Sequence, residues 1–352
     1  MTRSADRLVI IRPDDWHVHL RDGPMLETVA AATAATFSRA IVMPNLRPPV
    51  TTVAAARAYR KRIVDALPPD TRFEPLMTLY LTERTTPEEI AEAAASDIVL
   101  AVKYYPAGAT THSEFGVTAL ANVYPALAAM EKEDVVLCLH GEVTDPDVDP
   151  FDRERVFIER HMSELVRDFP GLRIVFEHVT TAEGVAFVRE TPANVAATIT
   201  PQHLKFSRGA MFEAGLRPHF FCLPILKRET HRRELVAAAT SGNPKFFLGT
   251  DSAPHLRHAK ESSLCGAGCY TAPLALELYA EAFDEAGALD RLEGFASLYG
   301  ADFYKLPRNR DKITLERASW TLPKEYSVDG HALVPLRAGE TLRWRVRRDA
   351  EP

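Results

Sequence analysis

The chain lacks most of the features that would assign it at a glance. Its 352 residues hold four cysteines, Cys138, Cys222, Cys265 and Cys269, too few and too scattered for the disulfide framework of a small secreted domain. Cys265-Gly-Ala-Gly-Cys269 has three residues between its cysteines, whereas zinc knuckles usually pair with other Cys or His nearby, so free thiols are expected. No run approaches the ~18 apolar residues of a membrane span. The opening Met1-Thr-Arg-Ser-Ala-Asp-Arg7 has no apolar signal core, so a cytoplasmic protein is expected. Positive charge is not in excess: the formal net charge is −6, which argues against a nucleic-acid partner. The one basic cluster, Arg343-Trp-Arg-Val-Arg-Arg348, reads as a solvated terminal segment. No G-x-G-x-x-G or G-x-x-x-x-G-K-[ST] turn follows the first apolar run, which removes the usual dinucleotide and phosphate-loop readings and weakens a doubly wound sheet. No repeat, low-complexity tract or Gly/Ser/Pro-rich linker divides the chain. A single domain over 1–352 is therefore expected, with 314–352 as a turn-rich segment wrapping it.

What the chain does have is alternation. Eight short apolar runs read as strands: Leu8–Ile11, Ala40–Met43, Phe73–Leu81, Ile98–Lys103, Val135–Leu139, Arg173–Glu177, Val195–Ile199 and Phe246–Gly249. Segments of helical period lie between them, such as Met25–Thr36, Val53–Ala66, Pro87–Ala95, Val117–Lys132 and Phe157–Asp168. Repetition every ~30–45 residues suits a (β/α)8 TIM barrel, which needs ~250 residues. The long interval from Pro201 to Lys245 should hold a helix plus an inserted loop, and helices near Pro273–Glu285 and Leu292–Leu298 should close the barrel.

In such a barrel the active site gathers at the C-terminal ends of the strands. After the first run comes Arg12-Pro-Asp-Asp-Trp-His-Val-His-Leu-Arg21, and residues two apart on an extended backbone face the same way, so His17 and His19 present two imidazoles together. Later runs end in Lys103, His140, His178 and Asp251. Four histidines, one lysine and one aspartate thus converge on one rim, a donor set suited to transition metals. A lysine at the end of an apolar run is costly unless paired or neutralised. A desolvated lysine amine can react with carbon dioxide to give a carbamate, which could bridge two cations.

H-x-H, Lys, His, His and Asp in this order resemble the amidohydrolase superfamily with a binuclear zinc centre. The local motifs resemble the shorter, bacterial-type dihydroorotases: Pro13-Asp-Asp-Trp-His-Val-His-Leu-Arg21, Met43-Pro-Asn45, Lys103-Tyr-Tyr-Pro-Ala-Gly-Ala-Thr-Thr111, Leu139-His-Gly-Glu142, Glu177-His-Val-Thr-Thr181 and Gly249-Thr-Asp-Ser-Ala-Pro-His255. The resemblance runs from about Arg12 to Lys305. It implies a zinc-dependent, reversible hydrolysis of dihydroorotate to N-carbamoyl-L-aspartate, the ring-forming step of pyrimidine synthesis. It implies two Zn²⁺ joined by a hydroxide, one held by His17, His19, carboxylated Lys103 and Asp251, the other by Lys103, His140 and His178. Asp251 would act as general base and then acid. Arg21, Asn45 and His255 would hold the substrate carboxylate, backbone groups of Leu223 and Ala267 the ring, and Thr110 and Thr111 would reach it from a mobile lid. A homodimer is the family expectation. His112, His161, His203, His219, His231, His258 and His331 receive no role.

Two other readings compete. A hydantoinase- or allantoinase-like cyclic-amide hydrolase shares the metal pattern, but those enzymes usually carry a β-sandwich built partly from residues before the barrel. Only about ten residues precede the first run here, too few for several strands. A non-catalytic scaffold predicts eroded ligands, and all six are present.

Overall fold

A computed structural model describes residues 6–347. The expectations for the leaderless start and for Arg348 fall partly or wholly on residues outside those described. Strand β1 (Arg7–Ile11) precedes eight parallel strands hydrogen-bonded in chain order: β2 (Asp15–Val18), β3 (Arg39–Val42), β4 (Glu74–Tyr80), β5 (Val99–Tyr104), β6 (Val136–Leu139), β7 (Ile174–Phe176), β8 (Val195–Ile199) and β9 (Phe246–Leu248). The barrel closes where Asp251 N–H donates to the His17 carbonyl at 2.8 Å and His19 N–H to the Ser252 carbonyl at 3.0 Å. This is the expected (β/α)8 barrel with one correction. Leu8–Ile11 is a strand, but it stands outside the barrel and pairs antiparallel with β10 (Lys312–Glu316), Ile10 opposite Ile313. The first barrel strand is instead Asp15-Trp-His-Val18, whose polar residues hide it from an apolar pattern.

Alternation along the strands divides two cores. Trp16, Ile41, Ala101, Val136, Val175 and Phe247 fill the barrel interior, while Val18, Val42, Val102 and Leu137 face the helices. Trp16 stacks on Tyr304 with ring centroids 4.8 Å apart and plugs the end of the barrel away from the site. A register shift in β2 between Asp15 and Val18 accommodates both Trp16 and His17 on the inner side. The helix at Pro87–Ala95 starts as its sequence demands, with Pro87 in the first turn and a reciprocal capping box between Thr86 and Glu89. Others depart from expectation: the segment expected helical from Val117 begins its α-helix only at Tyr124, after a 3-10 turn.

The C-terminal segment is richer in strand than expected. Arg345–Arg347 pairs with β10 and completes a three-stranded sheet with β1. Trp344 and Val346 are buried while Arg343, Arg345 and Arg347 are exposed. The basic cluster is therefore the outer face of a half-buried strand over its described residues, not a solvated tail. The four cysteines are free thiols, as expected.

At the closed end of the barrel Asp14 accepts from Arg39 through both carboxylate oxygens, at 3.0 and 2.6 Å, and from Asn309 at 2.8 Å. Asp14 is fully buried and Arg39 nearly so. Removing one partner of a buried pair strands the other charge, so Asp14→Ala should lower the unfolding free energy by about 3–5 kcal/mol. A urea titration reads this as a lower midpoint at constant slope; an unchanged midpoint would show that water solvates Arg39 there.

Candidate active site

Each candidate ligand sits at the same end of the barrel. His17 lies in β2 and His19 just past it; Lys103 lies in β5; His140 follows β6; His178 and Asp251 follow β7 and β9 by two and three residues. All six are buried. His17 Nε2 is 3.3 Å from His19 Nε2, and Asp251 Oδ1 lies 3.4 Å from the first and 3.1 Å from the second. The two imidazoles expected to share a face therefore do so, with the carboxylate closing the triangle. Arg21, His178 and Asp251 have φ of 60°, 41° and 45°. Left-handed backbone at non-glycine residues costs ~1–3 kcal/mol each, and here it occurs where side chains must be aimed at one point.

Burial opposes ionisation of Asp251, but the facing His17 and His19, with Lys103, outweigh it and hold the carboxyl at about 2. Burial pulls His19 down to about 4 despite Asp251, and pulls His178 well below its ordinary value, reinforced by His140 and Lys103. These two imidazoles are thus neutral at pH 7, the form that donates a lone pair. Asn45 Oδ1 lies 2.8 Å from His19 Nδ1; accepting that N–H leaves the His19 Nε2 lone pair facing Asp251 and His17.

Deeper in, Lys103 is fully buried and donates to Glu177 at 2.7 Å, and Glu177 also contacts His17 Nδ1. Burial works against the charge on Glu177, but His17 and Lys103 overcome it and hold the carboxyl at about 2. His140 Nε2 lies 2.8 Å from Glu142 Oε2, both buried, and its ring centroid is 4.7 Å from that of His178. Donor atoms of His17, His19 and Asp251 all lie within 4.8 Å of one another, as do those of His17, Glu177 and His178. His178 Nδ1 is buried with no hydrogen-bond partner. Imidazole nitrogens and carboxylate oxygens converging on two adjacent points, with a buried nitrogen left orphaned, fit a metal centre.

The cavity above is lined by Arg21, Asn45, Thr110, Thr111, Leu223 and Ala267, besides the histidines and Asp251. Lys103 and His255 are not on its surface. His255 stands behind Arg21, with Nε2 3.2 Å from Arg21 Nη2 and 3.0 Å from the Ala267 carbonyl. Arg21 Nε donates to the Pro254 carbonyl at 3.1 Å. The loop carrying Thr110 and Thr111 lies over the cavity: Asn45 Nδ2 donates to the Thr111 carbonyl at 2.9 Å, and Thr111 Oγ1 to the Ala267 carbonyl at 3.3 Å. Asn45 is thus engaged by His19 and the loop together.

Sequence reasoning gave no role to Asp15, Glu142, Glu154 or Glu177. Asp15 is fully buried, accepts from Thr250 N–H and Oγ1 at 2.8 and 2.6 Å and from His17 N–H at 3.2 Å, and so ties β2 to the Asp251 turn. Glu154 accepts from the backbone and hydroxyls of Thr180 and Thr181, fixing the turn after His178. Glu142 and Glu177 each stand beside a quoted histidine, and a carboxylate so close to a candidate ligand was the available signal.

The amidohydrolase family model matches residues 10–315. Over 340 residues the chain is 62% identical to the dihydroorotase of Acaryochloris marina, covering 97% of this chain and 99% of that protein. The solved dihydroorotase of Campylobacter jejuni superposes with a TM-score of 0.90 at 34% identity, covering 99% of each chain. An L-hydantoinase from Arthrobacter aurescens superposes at 0.80 with 16% identity over 96% of this chain and 82% of its own, a likeness of fold alone.

Proposed function

Since the chain belongs to the amidohydrolase family and, within it, to the dihydroorotases, we propose that its reaction uses two Zn²⁺, which His17, His19, a carboxylated Lys103, His140, His178 and Asp251 would hold, with Asp251 as proton carrier. The enzyme interconverts dihydroorotate and N-carbamoyl-L-aspartate, and the family is metal-dependent. The observation that carries the site assignment is the triangle of His17, His19 and Asp251 beside Arg21, at the end of the barrel where such enzymes work.

Bound zinc would acidify a water and polarise the ring amide carbonyl. The other steps belong to side chains. Asp251, ionised and fixed by its backbone bond to His17, accepts a proton from the attacking water at a carboxylate oxygen and returns it to the leaving ring nitrogen. Arg21 binds the substrate carboxylate, since its guanidinium has no carboxylate in ion-pair contact among the described residues. His255 and Asn45 assist, while Leu223 and Ala267 offer backbone groups to the ring. Thr110 and Thr111 close over the substrate and exclude water. Asn45 Nδ2 carries two N–H donors and gives one to the Thr111 carbonyl, which leaves the other for the carboxylate. Lys103, His140 and His178 would hold a second metal, with Glu142 orienting His140 and Glu177 orienting Lys103 and His17. We further read the chain as one domain, with the described residues from 314 onward wrapping the barrel, working as a homodimer in the cytoplasm; no helix is long and apolar enough to cross a membrane among the described residues.

The test is ring opening of dihydroorotate by zinc-loaded protein, with hydantoin and allantoin in parallel. Selective turnover of dihydroorotate supports the site assignment; preference for either other ring overturns the carboxylate contacts. Arg21→Met should raise KM for dihydroorotate by about 10²-fold, from loss of charge-assisted hydrogen bonds worth ~1.5–3 kcal/mol, at unchanged metal content. Wild-type kinetics in that variant would show that the carboxylate is held elsewhere.

A further inference from the structure

Lys260 is a buried lysine that the reaction as described does not use. It closes the short helix Arg257–Lys260 and is 2% exposed. Its ammonium donates to three main-chain carbonyls, those of Phe221 at 2.8 Å, Gly266 at 2.6 Å and Gly268 at 2.8 Å. Three N–H donors thereby meet three acceptors. No carboxylate lies in ion-pair contact with it among the described residues. A buried ammonium without a counter-charge is costly, and carbonyl dipoles solvate it without cancelling it.

Of the three residues, Gly268 lines the candidate substrate cavity, and the other two sit beside lining residues in the chain. Phe221 is two residues before Leu223, and Gly266 and Gly268 flank Ala267. Gly268 N–H also donates to the Phe221 carbonyl at 3.0 Å. Gly268 has φ 148°, and a Cβ there would collide with the Ala253 carbonyl, so the segment is bent tightly against the turn after Asp251. Ala267 O in turn meets His255 Nε2, which meets Arg21. Burial first, then Arg21 and Lys260, hold His255 down to about 2, which leaves it neutral. Arg21, on the cavity wall, and Lys260, behind it, are therefore two cations without carboxylate ion-pair partners among the described residues, and both act on the neutral His255 imidazole.

We propose that Lys260 is the positioning residue of the anion-binding rim: its ammonium ties the segments bearing Leu223 and Ala267 together and leaves its charge unneutralised for a carboxylated substrate. The inference rests on the dihydroorotate site assigned above. Glutamine keeps two hydrogen-bond donors without the charge and methionine keeps neither, so Lys260→Gln reads chiefly the loss of charge.

The experiment compares wild type, Lys260→Gln and Lys260→Met, each metal-loaded, by dihydroorotate kinetics, equilibrium binding of orotate as a planar carboxylated probe, and metal content. Both variants should raise KM and the orotate Kd by about tenfold or more, with kcat within about threefold and metal content unchanged. If Lys260→Met loses its native circular dichroism, Lys260→Gln decides. A folded Lys260→Gln with wild-type KM and Kd overturns the proposal, as does a fall in kcat at constant KM. A wild type that fails to open dihydroorotate defeats the site assignment instead, so the two failures are distinct.

Discussion

Asp251→Asn should retain its metal and lose turnover by a factor of ~10²–10⁴, the usual contribution of a positioned acid–base group. The substitution is nearly isosteric. The backbone bond from residue 251 to the His17 carbonyl, 2.8 Å in the native chain, survives it, because that bond uses no side-chain atom. The side-chain oxygen facing His19 at 3.1 Å can also remain as an amide oxygen. What is lost is basicity: the native carboxyl, held at about 2 by His17 and His19 against its burial, is ionised throughout the working range, and an amide cannot take a proton. Metal analysis and steady-state kinetics on the same preparation separate the outcomes. Metal retained with a rate within tenfold of wild type would remove Asp251 as proton carrier. Metal lost together with the rate would show that its main work is ligation.

The residues at this site were legible where chemistry and strand periodicity coincide. Lys103, His140, His178 and Asp251 end runs of apolar residues, and a barrel gathers such ends at one face. The first barrel strand was not legible, because Asp15, Trp16 and His17 each have inward business, with Thr250, with Tyr304 and with Asp251. An apolar detector settles on Leu8–Ile11, whose pattern serves a sheet made with residues some 300 positions away. The same distance problem hid Lys260, since backbone carbonyls carry no residue identity and nothing in the sequence marks Phe221 or Gly268 as its acceptors. Glu177 was hidden differently. It stands next to a recognised histidine, yet its contacts with Lys103 and His17, 74 and 160 positions distant in sequence, exist only once the barrel has closed. The segment Arg343–Arg347 misled because charge was read without period: every second residue there is Trp344 or Val346, and both are buried.

Lys103→Met should release metal and reduce turnover by ~10³-fold or more, several kcal/mol of transition-state stabilisation. The native lysine is fully buried and donates to Glu177 at 2.7 Å. Methionine fills the space with no donor, so Glu177 keeps its contact with His17 but loses its cation. The proposed carbamate adds a stronger condition. Carboxylation turns an ammonium–carboxylate pair into two neighbouring anions at a fully buried position, an arrangement that only cations between them would stabilise. Carboxylation of Lys103 and metal loading should therefore rise and fall together. Isotopically labelled bicarbonate should put a carbamate signal into metal-loaded wild type, lose it on chelation, and never produce it in Lys103→Met. A carbamate signal that persists after complete metal removal would separate the two events, and would mean that residues other than the metals neutralise the second anion. Loss of metal in Lys103→Met without any carbamate signal in wild type would leave Lys103 as the counter-charge of Glu177 and remove it as a bridging ligand.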